Sequence, residues 1–220
     1  MNKYLLLVLV FVLTLANTSA ATLRTVRAFR ALPAEKACVV NAVLFEAFLR
    51  REAPNAWTAR VTIPAADTDG EGHEVVAFDL GSGLYVWDPK FGAVSIRANK
   101  ADIADVGRAA FTALNSGRAA RPVEMLPITG SAAYAALEQF HEFGHEAELV
   151  RYADREFVIF VTDGNLLNAF SPDFGTIRGR IQVGFTAHQA LRDVFAKVLN
   201  GRGDFSILAG SIASTTVASR

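Results

Sequence analysis

The sequence predicts an α+β fold in which a helix packs on an antiparallel sheet. Three observations predict it. An apolar stretch after Pro33 has helical spacing. Two β-rich runs further on flank a glycine turn. The same succession then returns in the second half of the chain.

The elements follow in order. Val39, Ala42, Phe45 and Leu49 recur at helical spacing, and Leu44 and Phe48 widen the apolar face. Pro33 suits a helix start, and Arg50-Arg51 suit the negative end of the helix dipole. The spacing therefore predicts a helix from Pro33 onward. Trp57-Thr-Ala-Arg-Val-Thr-Ile63 reads as a strand. Pro64 to Gly72, rich in acids and glycine, reads as a loop. Glu74-Val-Val-Ala-Phe78, Gly81-Ser-Gly83 and Leu84-Tyr-Val-Trp87 read as a β-hairpin, which Asp88-Pro89 ends. Ala101 to Leu114 is a further helix candidate.

An internal repeat organises the chain. Glu74-Val-Val-Ala-Phe78 and Pro89-Lys-Phe-Gly92 return as Glu156-Phe-Val-Ile-Phe160 and Pro172-Asp-Phe-Gly175. Phe45-Glu-Ala-Phe48 aligns with Phe140-His-Glu-Phe143. The expected division is a unit over 22–120, a second copy over 121–205 and a tail over 206–220, whose order the sequence leaves open.

The N-terminus sets an expected compartment. Lys3 precedes an uncharged apolar run, Tyr4 to Ala16, and small residues follow at 17–21. This is the layout of a secretory signal peptide over 1–21, cleaved before a secreted or periplasmic protein. The run has 13 residues, whereas a bilayer span needs roughly 20. Charges balance at 22 basic and 22 acidic residues. No basic stripe points to nucleic acid, and no second apolar run points to a membrane after cleavage.

Cys38 is the chain's one cysteine. Secreted chains use cysteines in pairs, so a lone one is a free thiol, an intermolecular bridge or a nucleophile. A thiol attacks as the thiolate, which a helix N-terminus and a nearby imidazolium favour. A third group must hold the imidazole in its working tautomer. Cys38 lies early in the helix, His73 stands where a strand begins, and Asp88 ends the adjoining strand. A hairpin folds those two ends together, so His73 and Asp88 are expected to be neighbours.

These residues carry a family resemblance over roughly 36–92. Cys38-x3-Ala42-x-Leu44-x2-Ala47-x-Leu49-Arg50, then Ala59-Arg60-Val61, His73 and Trp87-Asp88-Pro89-x-Phe91-Gly92 resemble the transglutaminase-like core of the papain-like superfamily. His73-x-Val-Val with the later Asp-Pro also resembles bacteriocin-processing peptidases of that superfamily. The sequence departs from the family at Lys36-Ala37, where a glycine is common, and at Glu74-Val75. It offers no papain-like side-chain donor for an oxyanion between Thr22 and Cys38. The resemblance implies a papain-like fold and a Cys38-His73-Asp88 triad that needs no cofactor. It implies thiol-dependent acyl transfer as a peptidase or amidase on a protein or peptide, peptidoglycan peptides included. In the repeat, Cys38 falls opposite Ala133, His73 opposite Arg155 and Asp88 opposite Ser171, so the second copy is expected to carry no chemistry.

Two other classes stay open at this point. One is a non-catalytic binding module that kept the fold. The other is a zinc metallopeptidase, because His141-Glu142-Phe-Gly-His145 spells H-E-x-x-H, which on a helix presents two imidazoles to a metal. No third ligand stands out. Arg202-Gly-Asp204 reads as a tripeptide after a helix end, and His188 as a surface residue of the last helix.

Overall fold

The computed structural model describes residues 22–33, 36–63, 72–116, 123–199 and 204–212. The expected signal peptide, 1–21, lies outside them. The fold is mixed α+β, with two antiparallel sheets and five helices among the described residues. None of those helices is long and apolar enough to cross a membrane.

After a short helix α1 (Leu23–Val26), the first half runs α2 (Cys38–Glu52), β1 (Trp57–Ile63), β2 (His73–Asp79), β3 (Leu84–Asp88), β4 (Gly92–Ser95) and α3 (Ile103–Asn115). The second half runs α4 (Ala132–Glu142), β5 (Ala147–Tyr152), β6 (Arg155–Thr162), β7 (Leu166–Ser171), β8 (Gly175–Arg180) and α5 (Ala187–Val198). Each half is thus helix, four-stranded meander, helix. The first sheet has the order β1-β2-β3-β4. The second has the order β8-β7-β6-β5-β9, where β9 (Ser206–Ser211) adds to the β5 edge. The opening part of the expected tail is therefore a strand of the second sheet.

Alternation along the strands gives each sheet two apolar faces. In β2, Val76 and Phe78 join a central core with α2, while Val75 and Ala77 pack with Val106 and Ala110 of α3. In β6, Val158 and Phe160 join the same central core with α4, while Phe157 and Ile159 pack with Leu191 and Phe195 of α5. The central core therefore lies between the two sheets, and α2 and α4 touch within it. Phe29, from the segment before α2, fills its middle. Its ring stands 5.3 Å from both Phe45 and Trp87, edge to face, and 6.1 Å from Phe143. Phe45 stacks on Trp87 at 4.1 Å.

The helix α2 begins at Cys38 rather than at Pro33. The preceding segment is held in another way. Ala31 bridges Met125, and the buried Asn41 side chain both accepts from the Leu32 N–H at 2.8 Å and donates to the Leu32 carbonyl at 3.2 Å. A chain tied across the outside of the helix cannot also continue it, so helical geometry starts later than propensity suggests.

Candidate active site

Local structure places Cys38, His73 and Asp88. Cys38 is the first residue of α2, His73 the first of β2, and Asp88 the last of β3. The three expected residues meet. The His73 ring nitrogen Nε2 is hydrogen bonded to Asp88 Oδ2, and the Cys38 thiol is hydrogen bonded to His73.

Asp88 is fully buried, and its charge is matched on every side. Its Oδ1 accepts from the Lys90 N–H at 2.7 Å and the Phe91 N–H at 2.9 Å. These two bonds build the turn that leads into β4. Gly92 closes that turn at φ +75°, a backbone region costly for other residues. Burial pushes the Asp88 carboxyl up, yet His73 and the two turn amides outweigh it and hold it below the usual carboxylate value.

Asp88 in turn tunes the ring. Its hydrogen bond, seconded by Cys38 and opposed by burial, raises His73 from 6.5 to about 10. Burial pushes the Cys38 thiol up. The hydrogen bond to His73, the backbone N–H groups of Glu74 and Val39, and the imidazolium charge together bring it below 9.0. The favoured form is a thiolate beside an imidazolium, which is the nucleophilic form of the pair.

The helix start contributes as well. No side chain caps α2, and its first turn holds no acid. The Val39 N–H of that first turn donates to the sulfur, which lies at the positive end of the dipole. The three other helices longer than one turn are capped, by Asp102, Ser131 and Thr186. An anionic sulfur replaces the missing cap at α2.

The corresponding corner of the second half is an open cleft of about 530 Å³. Ser131, Ala132, Arg155, Glu156, Ser171 and Pro172 line it. Arg155 begins β6 and Ser171 ends β7, as His73 and Asp88 do in the first half. Arg155 and Ser171 hold those two strand ends, Ala132 begins the helix, and the Glu156 carboxylate is hydrogen bonded to Ser131, so the corner holds no thiol–imidazole pair.

The H-E-x-x-H residues do not form the face that zinc would need. Helix α4 stops at Glu142, and Gly144 at φ +75° turns the chain. His145 N–H bonds back to the Phe140 carbonyl at 2.8 Å and Gly144 N–H to the His141 carbonyl at 3.0 Å, a Schellman ending. His145 thus lies beyond the helix, and the His141 ring contacts the Ala147 carbonyl at 3.2 Å. Among the described residues, no cluster of three His, Cys, Asp or Glu side chains is arranged to hold a metal. His188 is more than a surface residue, since its ring meets the buried Glu148 carboxylate at 2.9 Å. Of the Arg202-Gly-Asp204 tripeptide only Asp204 is described, and it pairs with Arg192 at 3.3 Å.

Sequence reasoning missed one cluster beside the site. Glu74 is buried although it lies on a strand facing apolar core, and it is paired with Arg60 and with Arg178. Arg178 is 104 residues away in the chain, so no local pattern could reveal the pair.

No family model, no curated protein and no solved structure matches this chain.

Proposed function

We propose that this protein is a thiol-dependent acyl-transfer enzyme of papain-like, transglutaminase-like type, acting as a cysteine peptidase or amidase on a protein or peptide. The single observation that carries the reading is the bonded row Cys38, His73, Asp88 at an uncapped helix start.

The steps follow from those groups. The Cys38 sulfur attacks an amide carbonyl, and the Cys38 N–H at the helix start donates to the developing oxyanion. The His73 imidazolium gives its proton to the leaving amine, which leaves a thioester on Cys38. Neutral His73 then takes a proton from water as the water attacks the thioester, releasing the acid and restoring the thiolate–imidazolium pair. An amine in place of water gives transamidation. Asp88 holds the ring in one orientation and stabilises its charge throughout.

Two further parts belong to this reading. The two halves descend from one helix–meander–helix unit, which their shared element order and the Pro-x-Phe-Gly turns at Pro89 and Pro172 support. Residues 1–21 direct export, and the mature protein works outside the cytoplasm. Alkylation by iodoacetamide tests the chemistry. The expected result is rapid labelling of Cys38 near neutral pH. Labelling that follows an ordinary thiol, half-maximal near pH 9.0, points instead to a binding module that kept the fold.

A further inference from the structure

The start of β2 is held weakly by its own sheet. The β2–β3 ladder begins at Val76 and Trp87, so His73, Glu74 and Val75 have no ladder partner on the β3 side. On the other side they pair with the last residues of β1, Ile63, Thr62 and Val61. Yet two groups that face the sulfur, the His73 ring and the Glu74 N–H, sit in this stretch. On the β3 side something other than the ladder must fix it. His73 is fixed by Asp88. Glu74 is fixed by its carboxylate, which is almost fully buried.

The second half supplies that anchor. Glu74 Oε2 accepts from Arg178 Nη2, and Oε1 accepts from Arg60 Nη1 at 3.4 Å. Arg60 is shared: it also meets Glu46 at 3.2 Å and Asp163 at 2.6 Å. Arg178 makes its ion pair with Glu74. It sits on β8, and the same strand touches the other catalytic element. Gly175 opens β8 at φ +91°, and a Cβ there would lie 3.2 Å from the Cβ of Lys36, two residues before Cys38. One strand of the second half thus lies against both the run into Cys38 and the residue after His73.

We propose that Arg178 is a positioning residue for the Cys38–His73 pair, acting through the Glu74 carboxylate to hold the Glu74 N–H on the Cys38 sulfur. The proposal rests on the acyl-transfer reading and gives the second half a role in the chemistry of the first. Without the guanidinium, one oxygen of a buried carboxylate loses its partner, and Glu74 is drawn toward Arg60 or outward to water. Either movement tilts the start of β2, which β1 holds on one side only, and takes the Glu74 N–H off the sulfur. The thiolate then loses a donor and the ring loses its alignment.

The test is the pH dependence of iodoacetamide alkylation at Cys38, followed with a thermal melt of each variant. In Arg178→Gln the lower inflection is expected to rise by about one pH unit, a tenfold loss of thiolate below it. Arg178→Lys keeps the charge without the planar fork and is expected to fall between Gln and wild type. Arg151→Gln breaks an ion pair on β5 with Glu156 and is expected to leave the profile unmoved. If Arg178→Gln does not fold, Arg178→Lys carries the test, and a wild-type profile in it overturns the proposal. A folded Arg178→Gln that melts lower yet alkylates with the wild-type profile also overturns it, since the pair is then structural only. A wild-type protein that alkylates as an ordinary thiol overturns the acyl-transfer reading and this proposal with it.

Discussion

The two halves share a helix, a four-stranded meander and a second helix, and they differ at one corner of that order and in the added strand β9. In the first, an uncapped helix start meets a strand that begins with His73 and one that ends with Asp88. In the second, Ser131 accepts from the Ala133 and Tyr134 amides, and the strand ends carry Arg155 and Ser171. The turns match: Gly92 lies opposite Asp88 and Gly175 opposite Ser171, each with positive φ. Each half builds a corner from a helix start and two strand ends, with the helix amides capped only in the second. The residues placed there decide whether it holds an ion pair or a plain cleft.

The sharpest way to break this comparison is to remove the chemistry from the first half. Cys38→Ala and His73→Ala are each expected to lower amidase turnover by on the order of 10⁴-fold or more. Their folding is expected to persist, because Cys38 and His73 are only partly buried. Asp88→Asn is expected to leave residual turnover and to shift the pH profile. Its hydrogen bond is the largest cause of the raised His73 value, so the alkaline limb, set near 10, moves down. A kcat profile with an unmoved alkaline limb would contradict the assigned role of Asp88.

The same groups predict a stability window. His73 is raised from 6.5 to about 10, so its contribution is complete below 6.5 and is lost as pH rises through about 10. Cys38 is lowered from 9.0, so its contribution is present above 9.0 and is lost as pH falls through the lowered value. Urea midpoints of wild type and His73→Ala should therefore converge as pH rises from 6.5 through about 10. Parallel midpoints across that range would show that the pair does not form.

Next in size is the core that both halves share. Phe29 is buried among rings of α2, β3 and the end of α4. Phe29→Ala is expected to destabilise the protein by about 3–5 kcal/mol in urea unfolding. One transition with lowered midpoint would show that the halves unfold together. Two separate transitions would show that the central core does not couple them.

The smallest expected effects concern the second cleft. Ser131→Ala is expected to cost about 1 kcal/mol through loss of the cap. Ala132→Cys, made in the Cys38→Ala background, puts a thiol at the first residue of α4. It is expected to alkylate as an ordinary thiol, with a midpoint near pH 9.0, because Ser131 already occupies the helix amides and Arg155 offers no base. A midpoint as low as that of Cys38 would mean that the helix start alone activates the sulfur and that His73 and Asp88 add little.

Much of the first half was legible because its strands are short, β-rich and bounded by turn residues. Trp57–Ile63 appears with the bounds that its residues suggest, and the hairpin from His73 to Asp88 follows from the Gly81-Ser-Gly83 turn. That hairpin is why two of the site residues could be placed side by side: chain reversal is a local property. H-E-x-x-H misled for an equally local reason. Gly144 ends the helix between the two imidazoles, and its Schellman bonds outweigh a pattern that requires the helix to continue. Helix α2 starts later than Pro33 permits, because the Asn41–Leu32 bonds hold the preceding segment against the helix. The strand β9 could not be assigned to a sheet from its own residues, because the strand it pairs with among the described residues is β5, about 60 residues earlier.

The sequence by itself determined β1, the hairpin of β2 and β3 and the residue types at the site, because these depend on spacing within a few turns of chain. Tertiary structure decided the rest. It set the approach of Cys38 to His73, the burial of Asp88 and the shared aromatic core. It also joined Glu74 to Arg178 across 104 residues. A thiol, an imidazole and a carboxylate acquire their charges from distance and burial, and those are fixed only when distant elements pack together.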